Sequence, residues 1–182
     1  MINLQKILLI LTLLVILMSF DRAFAFTVKE EGGYVNHPKD KGGETKFGIS
    51  KRAYPHIDIK GLSIEQAKKI YYQDYWLASS ADRLPERLAL LHFDSAVNHG
   101  VGQAKLFLQA ILCVKRDGRI GPITLGVLYK QLELGDESNL IEKYLRVRRE
   151  YYYTIVSLRP DQKVFLKGWL NRLNKLKAEL ND

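Results

Sequence analysis

EEGGYVNHPKDKGGETKFGIS, residues 30–50, holds two acids ahead of a Gly-Gly break, then a Pro- and Gly-rich turn, then a short β-like run. The residues before it settle how it folds. Phe20, Ala23, Phe24, Thr27 and Val28 recur at helical spacing, which predicts a helix over 19–31 with Ser19 as its N-cap and Gly32-Gly33 as its stop. Glu31 then sits at a helix C-terminus. The two pieces YV and TKFGI, on either side of the turn, predict one small hairpin.

That placement gives Glu31 a chemical character. The negative end of a helix dipole disfavours an ionised carboxyl, and partial burial does the same. A carboxylic acid that keeps its proton near neutral pH is the general acid that glycosidic cleavage needs. Asp40 follows nine residues on, in the turn, where a hairpin folding back would bring it opposite Glu31. An ionised Asp there can hold a water and stabilise an oxocarbenium-like transition state. Thr45 adds a hydroxyl to orient that water, and Tyr34 can stack on a sugar or pack on the core. Glu-Gly-Gly is equally an ordinary helix stop, Asp and Thr beside glycine are ordinary turn residues, and Glu30 is the rival acid. His37 reads as a hairpin surface residue.

The rest of the chain reads as helices. Ser63-Ile64-Glu65-Gln66 is a capping box opening a helix to about residue 76, with Ile64, Ala67, Ile70, Tyr71 and Tyr75 as its apolar face. Further helices are expected over 85–99, 103–114, 122–132 and 139–158, with a last one showing Leu166, Trp169, Leu170, Leu173, Leu176 and Leu180 on one side. The helix over 103–114 is apolar on most sides and is expected to be central. The fold class is therefore mainly α with one small β-hairpin. Asp94 and Asn98, four apart, can share one helical face, and Asn98 is a candidate binding contact. Arg146, Arg148 and Arg149 read as a solvated basic face.

Composition bounds the partners. The 182 residues carry 28 Lys+Arg against 20 Asp+Glu, a formal charge of +8 that favours polyanions. No nucleic-acid motif accompanies it, and no nucleic-acid partner is expected. No Cys/His cluster has zinc spacing, so neither metal nor cofactor is expected. The single cysteine, Cys113, lies in an apolar run and is expected in the core. Residues 7–20, ILLILTLLVILMSF, are uncharged and shorter than the ~20 residues of a membrane span. They read as a signal segment or a membrane anchor, with Ala23-Phe24-Ala25 resembling a cleavage site. Alternatively, the working chain begins at Met18 and stays cytoplasmic until release. The organisation expected is a leader over 1–18, an acid-bearing part over 19–84 and a helical part over 85–182, as one monomeric globule.

EGGY followed by DKGGETKFGIS, then DIKGLSIEQAKKIYYQDYW, HFDSAVNHGVGQAKLFLQAIL, DGRIGPITLGVL and GWLNRL, resembles glycoside hydrolase family 108 with its C-terminal peptidoglycan-binding region. The family comprises bacterial and phage N-acetylmuramidases, also labelled secretion activators. The resemblance spans roughly residues 19–173. It implies a lysozyme-like fold, hydrolysis of the β-1,4 bond between N-acetylmuramic acid and N-acetylglucosamine, peptidoglycan strands as partner, and the cell envelope as the place of action. It assigns the catalytic acid to Glu31. Phage-type lysozymes space Glu, Asp and Thr by eight and five intervening residues. Here Glu31 and Asp40 fit, while Thr45 comes one residue early. A non-catalytic wall-binding or secretion-accessory protein is the alternative reading.

Overall fold

The computed structural model describes Lys6, residues 17–28 and residues 43–181. They form two compact units, divided between Ala78 and Ser79. Among the described residues the chain is mainly α, with one two-stranded antiparallel hairpin.

In the first unit, residues 17–28 form helix α1. Phe20, Ala23, Phe24 and Thr27, at positions i, i+3, i+4 and i+7, are all buried, as their spacing predicts. Ser19 does not cap this helix. Leu17 and Met18 are already helical, and Ser19 is a buried residue within it; both preceding residues are good helix formers that carry the helix upstream. The buried face of α1 is aromatic. Phe20 lies 4.9 Å from Tyr72 and 5.4 Å from Trp76, ring centre to ring centre, and Phe24 lies 5.6 Å from Tyr71.

Helix α2, Ile64–Tyr71, opens on the capping box: Ser63 Oγ accepts from the Gln66 N–H, and Gln66 Oε1 accepts from the Ser63 N–H. It does not run on as an α-helix. Tyr72–Leu77 is a π-helix. The change moves the apolar face. Ala67 and Tyr71 are buried as expected, but Ile64 is exposed and Trp76, not Tyr75, closes the core. In a continuous α-helix, Trp76 would point roughly 140° away from Tyr71. The wider i→i+5 turn returns it to the same side.

The hairpin among the described residues lies inside TKFGIS. Strand β1, Thr45–Lys46, pairs with β2, Ile49–Ser50, with Thr45 opposite Ser50 and Lys46 opposite Ile49. The turn is Phe47-Gly48, with φ of 52° and 74°. Two successive positive φ angles are the mark of the tight turns that match strand twist. Tyr34-Val35 lies outside the described residues.

The second unit is helical throughout. Pro85 precedes α3, Glu86–His99; Gly100, at φ 86°, separates it from α4, Val101–Ile111. Pro122 occupies the first turn of α5, Pro122–Glu133, where its missing N–H has no helical partner to lose. Helix α6, Glu137–Leu158, joins α7, Lys163–Glu179, through a short 3-10 turn at Pro160–Gln162. The central helix is α3, not α4: every residue from Leu88 to Ala96 is buried. Helix α4 keeps one partly exposed side and is the second layer. Leu173, Leu176 and Leu180 bury the predicted face of the last helical segment.

Cys113 is not a core residue. It follows α4 at φ 56° and is exposed, because the chain leaves the helix by a left-handed turn there. No helix among the described residues is long and apolar enough to cross a membrane; residues 7–16, which carry most of the apolar leader, lie outside them.

Candidate active site

Glu31, Tyr34 and Asp40 lie outside the described residues, as do Glu30 and His37. The described chain fixes both approaches to them. Upstream, α1 is bound into the core through residue 27, which is 0 % exposed. Downstream, the chain re-enters at Gly43, whose φ of 70° suits a residue without Cβ.

Thr45 opens β1 and is half-buried. Its hydroxyl donates to the Gly43 carbonyl at 3.4 Å, a long bond that a closer acceptor can displace. The backbone beneath it is held firmly. The Lys51 N–H donates to the Glu44 carbonyl at 2.8 Å. Lys46 Nζ reaches the Lys60 carbonyl at 3.0 Å. The hydroxyl of Tyr71, a residue 1 % exposed, donates to the Phe47 carbonyl at 2.9 Å. That bond fixes a turn whose first residue is an aromatic at positive φ, a conformation uncommon outside glycine and asparagine. On the π-helix, Asp74 accepts from the Tyr54 hydroxyl at 2.9 Å. Burial, with that bond, drives the Tyr54 phenol above its ordinary value.

Asn98 stands in the last turn of α3, exposed, its Nδ2 donating to the Asp94 carbonyl at 2.7 Å. The Asp94 carboxylate is not beside it on a shared outer face. It is buried between two arginines: Oδ2 lies 2.8 Å from Arg148 Nη1, and Oδ1 accepts from Arg172 Nη2 at 2.8 Å and Nε at 3.0 Å. Burial alone would raise the Asp94 pKa, but the two guanidinium groups outweigh it and hold the carboxyl below its usual range.

Arg148 is therefore not part of a solvated basic face. Its side chain is fully buried, while Arg146 and Arg149 are exposed. The sequence carries the signal: Ile141, Tyr144, Leu145, Arg148 and Tyr152 fall on one helical stripe, and all are buried. Arg148 Nη2 also reaches the Tyr152 hydroxyl at 3.4 Å.

Two histidines that sequence reasoning passed over sit in the same interior. His92 is fully buried, with Nε2 at 3.1 Å from the Ser79 carbonyl and Nδ1 at 2.9 Å from the Tyr144 hydroxyl. A carbonyl only accepts, so Nε2 carries the proton and Nδ1 accepts. Burial pushes the His92 pKa down to about 4. His99 packs against Phe107, Tyr151 and Tyr152, with ring centres 5.0–5.5 Å apart. Burial, and then the nearby Arg148 charge, push it down to about 3. Both are neutral at pH 7 and serve as packing groups. Buried Gln109 braces the DGRIGP loop: its Nε2 donates to Asp117 Oδ1 and the Arg119 carbonyl, and its Oε1 accepts from the Gly118 N–H. Among the described residues, no group of His, Cys, Asp and Glu is placed to hold a metal ion.

Residues 24–100 match the family model described as glycosyl hydrolase 108, and residues 103–174 match the one described as a predicted peptidoglycan domain. The chain thus carries a region that matches glycosyl hydrolase 108, followed by one that matches a predicted peptidoglycan domain. The junction between the two matches falls at the Gly100 break between α3 and α4. The solved structure of Brucella abortus SagA is 28% identical, over 88% of this chain and 92% of that one, with a TM-score of 0.75. The fold is the mainly α, lysozyme-like one. The comparison with curated proteins gave no match. The two matches together support a glycosyl hydrolase that acts on peptidoglycan, with a cell-wall or extracytoplasmic role.

Proposed function

We propose that the chain is an N-acetylmuramidase that cleaves the β-1,4 bond between N-acetylmuramic acid and N-acetylglucosamine. Glu31 is the general acid, passing its proton to the glycosidic oxygen as the bond to the anomeric carbon breaks. Asp40 stabilises the oxocarbenium-like centre and holds the water that completes hydrolysis, and Thr45 orients that water. Tyr34 and Asn98 contact the sugars.

One observation supports this reading above the others. Helix α1 is locked into an aromatic core up to Thr27, four residues before Glu31, inside the stretch that matches glycosyl hydrolase 108. A general acid needs such a rigid base, because its proton must meet one oxygen within hydrogen-bond reach. The braced hairpin supplies a comparable base for Thr45.

The test is Glu31→Gln, assayed by mass spectrometry of the muropeptides released from purified peptidoglycan. The variant should keep the wild-type melting temperature and lose activity by at least about a hundredfold. Undiminished release would remove Glu31 from the mechanism. Pull-down of the wild type with peptidoglycan but no new reducing ends would favour the alternative, a wall-binding or secretion-accessory role.

A further inference from the structure

Arg146 and Arg149 point outward where Arg148 points in, and together they line a groove of about 390 Å³ between α6 and α7. Lys143 and Leu145 join them from the same helix, and Lys177 from α7. The groove contains one carboxylate, Glu142, and it is already taken: Lys177 Nζ sits 2.8 Å from one of its oxygens and 3.0 Å from the other. That pair ties the two helices together. No carboxylate among the described residues pairs with Lys143, Arg146 or Arg149. Three cations thus converge on one concave surface with no internal counter-charge, an arrangement that repels itself and attracts an anion.

We propose that this groove binds the acidic stem peptides of peptidoglycan, with Lys143, Arg146 and Arg149 taking their carboxylates. The shape favours a peptide over broader polyanions. From Lys143 to Arg149 the helix rises roughly 9 Å, the reach of about three residues of extended chain. A groove of about 390 Å³, lined in part by the Lys177–Glu142 pair, is on the scale of a short peptide segment. A nucleic-acid duplex or a membrane would need a wider, open face. The guanidinium fork matches a carboxylate with two parallel bonds, and two such forks stand three residues apart on α6. All three cations lie within residues 103–174, the predicted peptidoglycan domain. The inference rests on peptidoglycan as substrate, and it concerns a surface that carries none of the proposed catalytic residues.

The experiment uses the full chain and its Arg146→Gln/Arg149→Gln variant. Binding is measured by calorimetry at low salt, first to a purified disaccharide-tetrapeptide and then to the same disaccharide with its peptide removed by an amidase. The wild type should bind the peptide-bearing form at least about tenfold more tightly. The variant should lose that difference, and added salt should erode it in the wild type. Lys143→Gln alone should show a smaller loss in the same direction. Both arginines are exposed, so melting temperatures should agree. Equal binding of the two ligands by the wild type would overturn the proposal, as would an unchanged variant. A variant-sensitive affinity for duplex DNA or for phosphatidylglycerol vesicles, with none for the muropeptide, would also overturn it. Reducing-end release from intact, peptide-bearing peptidoglycan reports the hydrolase separately. A wild type that releases none yet prefers the peptide-bearing ligand would sink the muramidase reading and leave the groove standing.

Discussion

Replacing Asp94 by alanine should be among the most damaging single changes in the second unit. The side chain is 1 % exposed, and both Arg148, at 0 %, and Arg172, at 11 %, draw their counter-charge from it. At an effective dielectric of ~20, one such pair at ~4 Å is worth about 4 kcal/mol of attraction. Much of that is spent on desolvation when the pair is intact. Removing the acid leaves the desolvation of the fully buried Arg148 in place without that counter-charge, and breaking a buried pair costs about 3–5 kcal/mol. Asp94→Ala belongs in that range, because the Arg148 side chain that faces Asp94 is itself fully buried. Against a total stability of about 5–15 kcal/mol, the variant folds but unfolds early in urea. Trp169, stacked on Tyr152 at 5.2 Å, is a local fluorescence reporter of this unit. Arg172→Met should cost less, since Asp94 keeps Arg148. The double variant Asp94→Leu/Arg148→Met should recover part of the loss, because the fully buried charge has gone with its partner. A loss of less than about 1 kcal/mol for Asp94→Ala would refute the reasoning, and so would a double variant weaker than the sum of its single changes.

Three further outcomes follow from the interior. His92 and His99 have folded pKa values pushed down to about 4 and about 3, against about 6.5 when unfolded. The unfolded chain therefore takes up protons first. Stability should be full above about pH 6.5 and fall as the pH drops toward 4, by about 2 kcal/mol per histidine between pH 7 and 5, as read from urea midpoints. Phe20→Ala should cost about 3–5 kcal/mol by removing a fully packed ring that touches Tyr72 and Trp76, measured by thermal unfolding. Tyr71→Phe should cost about 1 kcal/mol by leaving the Phe47 carbonyl without its buried donor, and hydrogen exchange at the hairpin amides should quicken.

Much of this fold is written locally. Ser63 and Gln66 announce their helix by side-chain chemistry alone, and Pro85, Gly100 and Pro122 punctuate the chain where helices start and stop. The aromatic face of α1 is legible because helical spacing survives in Phe20, Ala23, Phe24 and Thr27. What local rules miss is set by partners distant in sequence. Arg148 looks like its neighbours until Asp94, on another helix, gives it a buried counter-charge. The π-helix becomes favourable because Trp76 is wanted under Phe20, more than fifty residues away. Phe47 tolerates positive φ with the Tyr71 hydroxyl waiting for its carbonyl. Of the proposed site, Thr45 and Asn98 can be placed on a braced strand and a helix end. Glu31, Tyr34 and Asp40 rest on the sequence pattern and the family resemblance.

The aromatic packing of α1 bears on how the chain could be processed. A signal peptidase acting after Ala25 needs that peptide bond in an extended strand, yet in the folded unit it lies in mid-helix, flanked by Phe24 and Thr27 in the core. Closure of the first unit and cutting at that bond are thus competing fates of the same helix. Whichever happens first forbids the other: a folded chain hides the bond, and a cut chain has lost Phe20, Ala23 and Phe24 from beneath Tyr71, Tyr72 and Trp76. Retention of the leader would then be decided by folding speed.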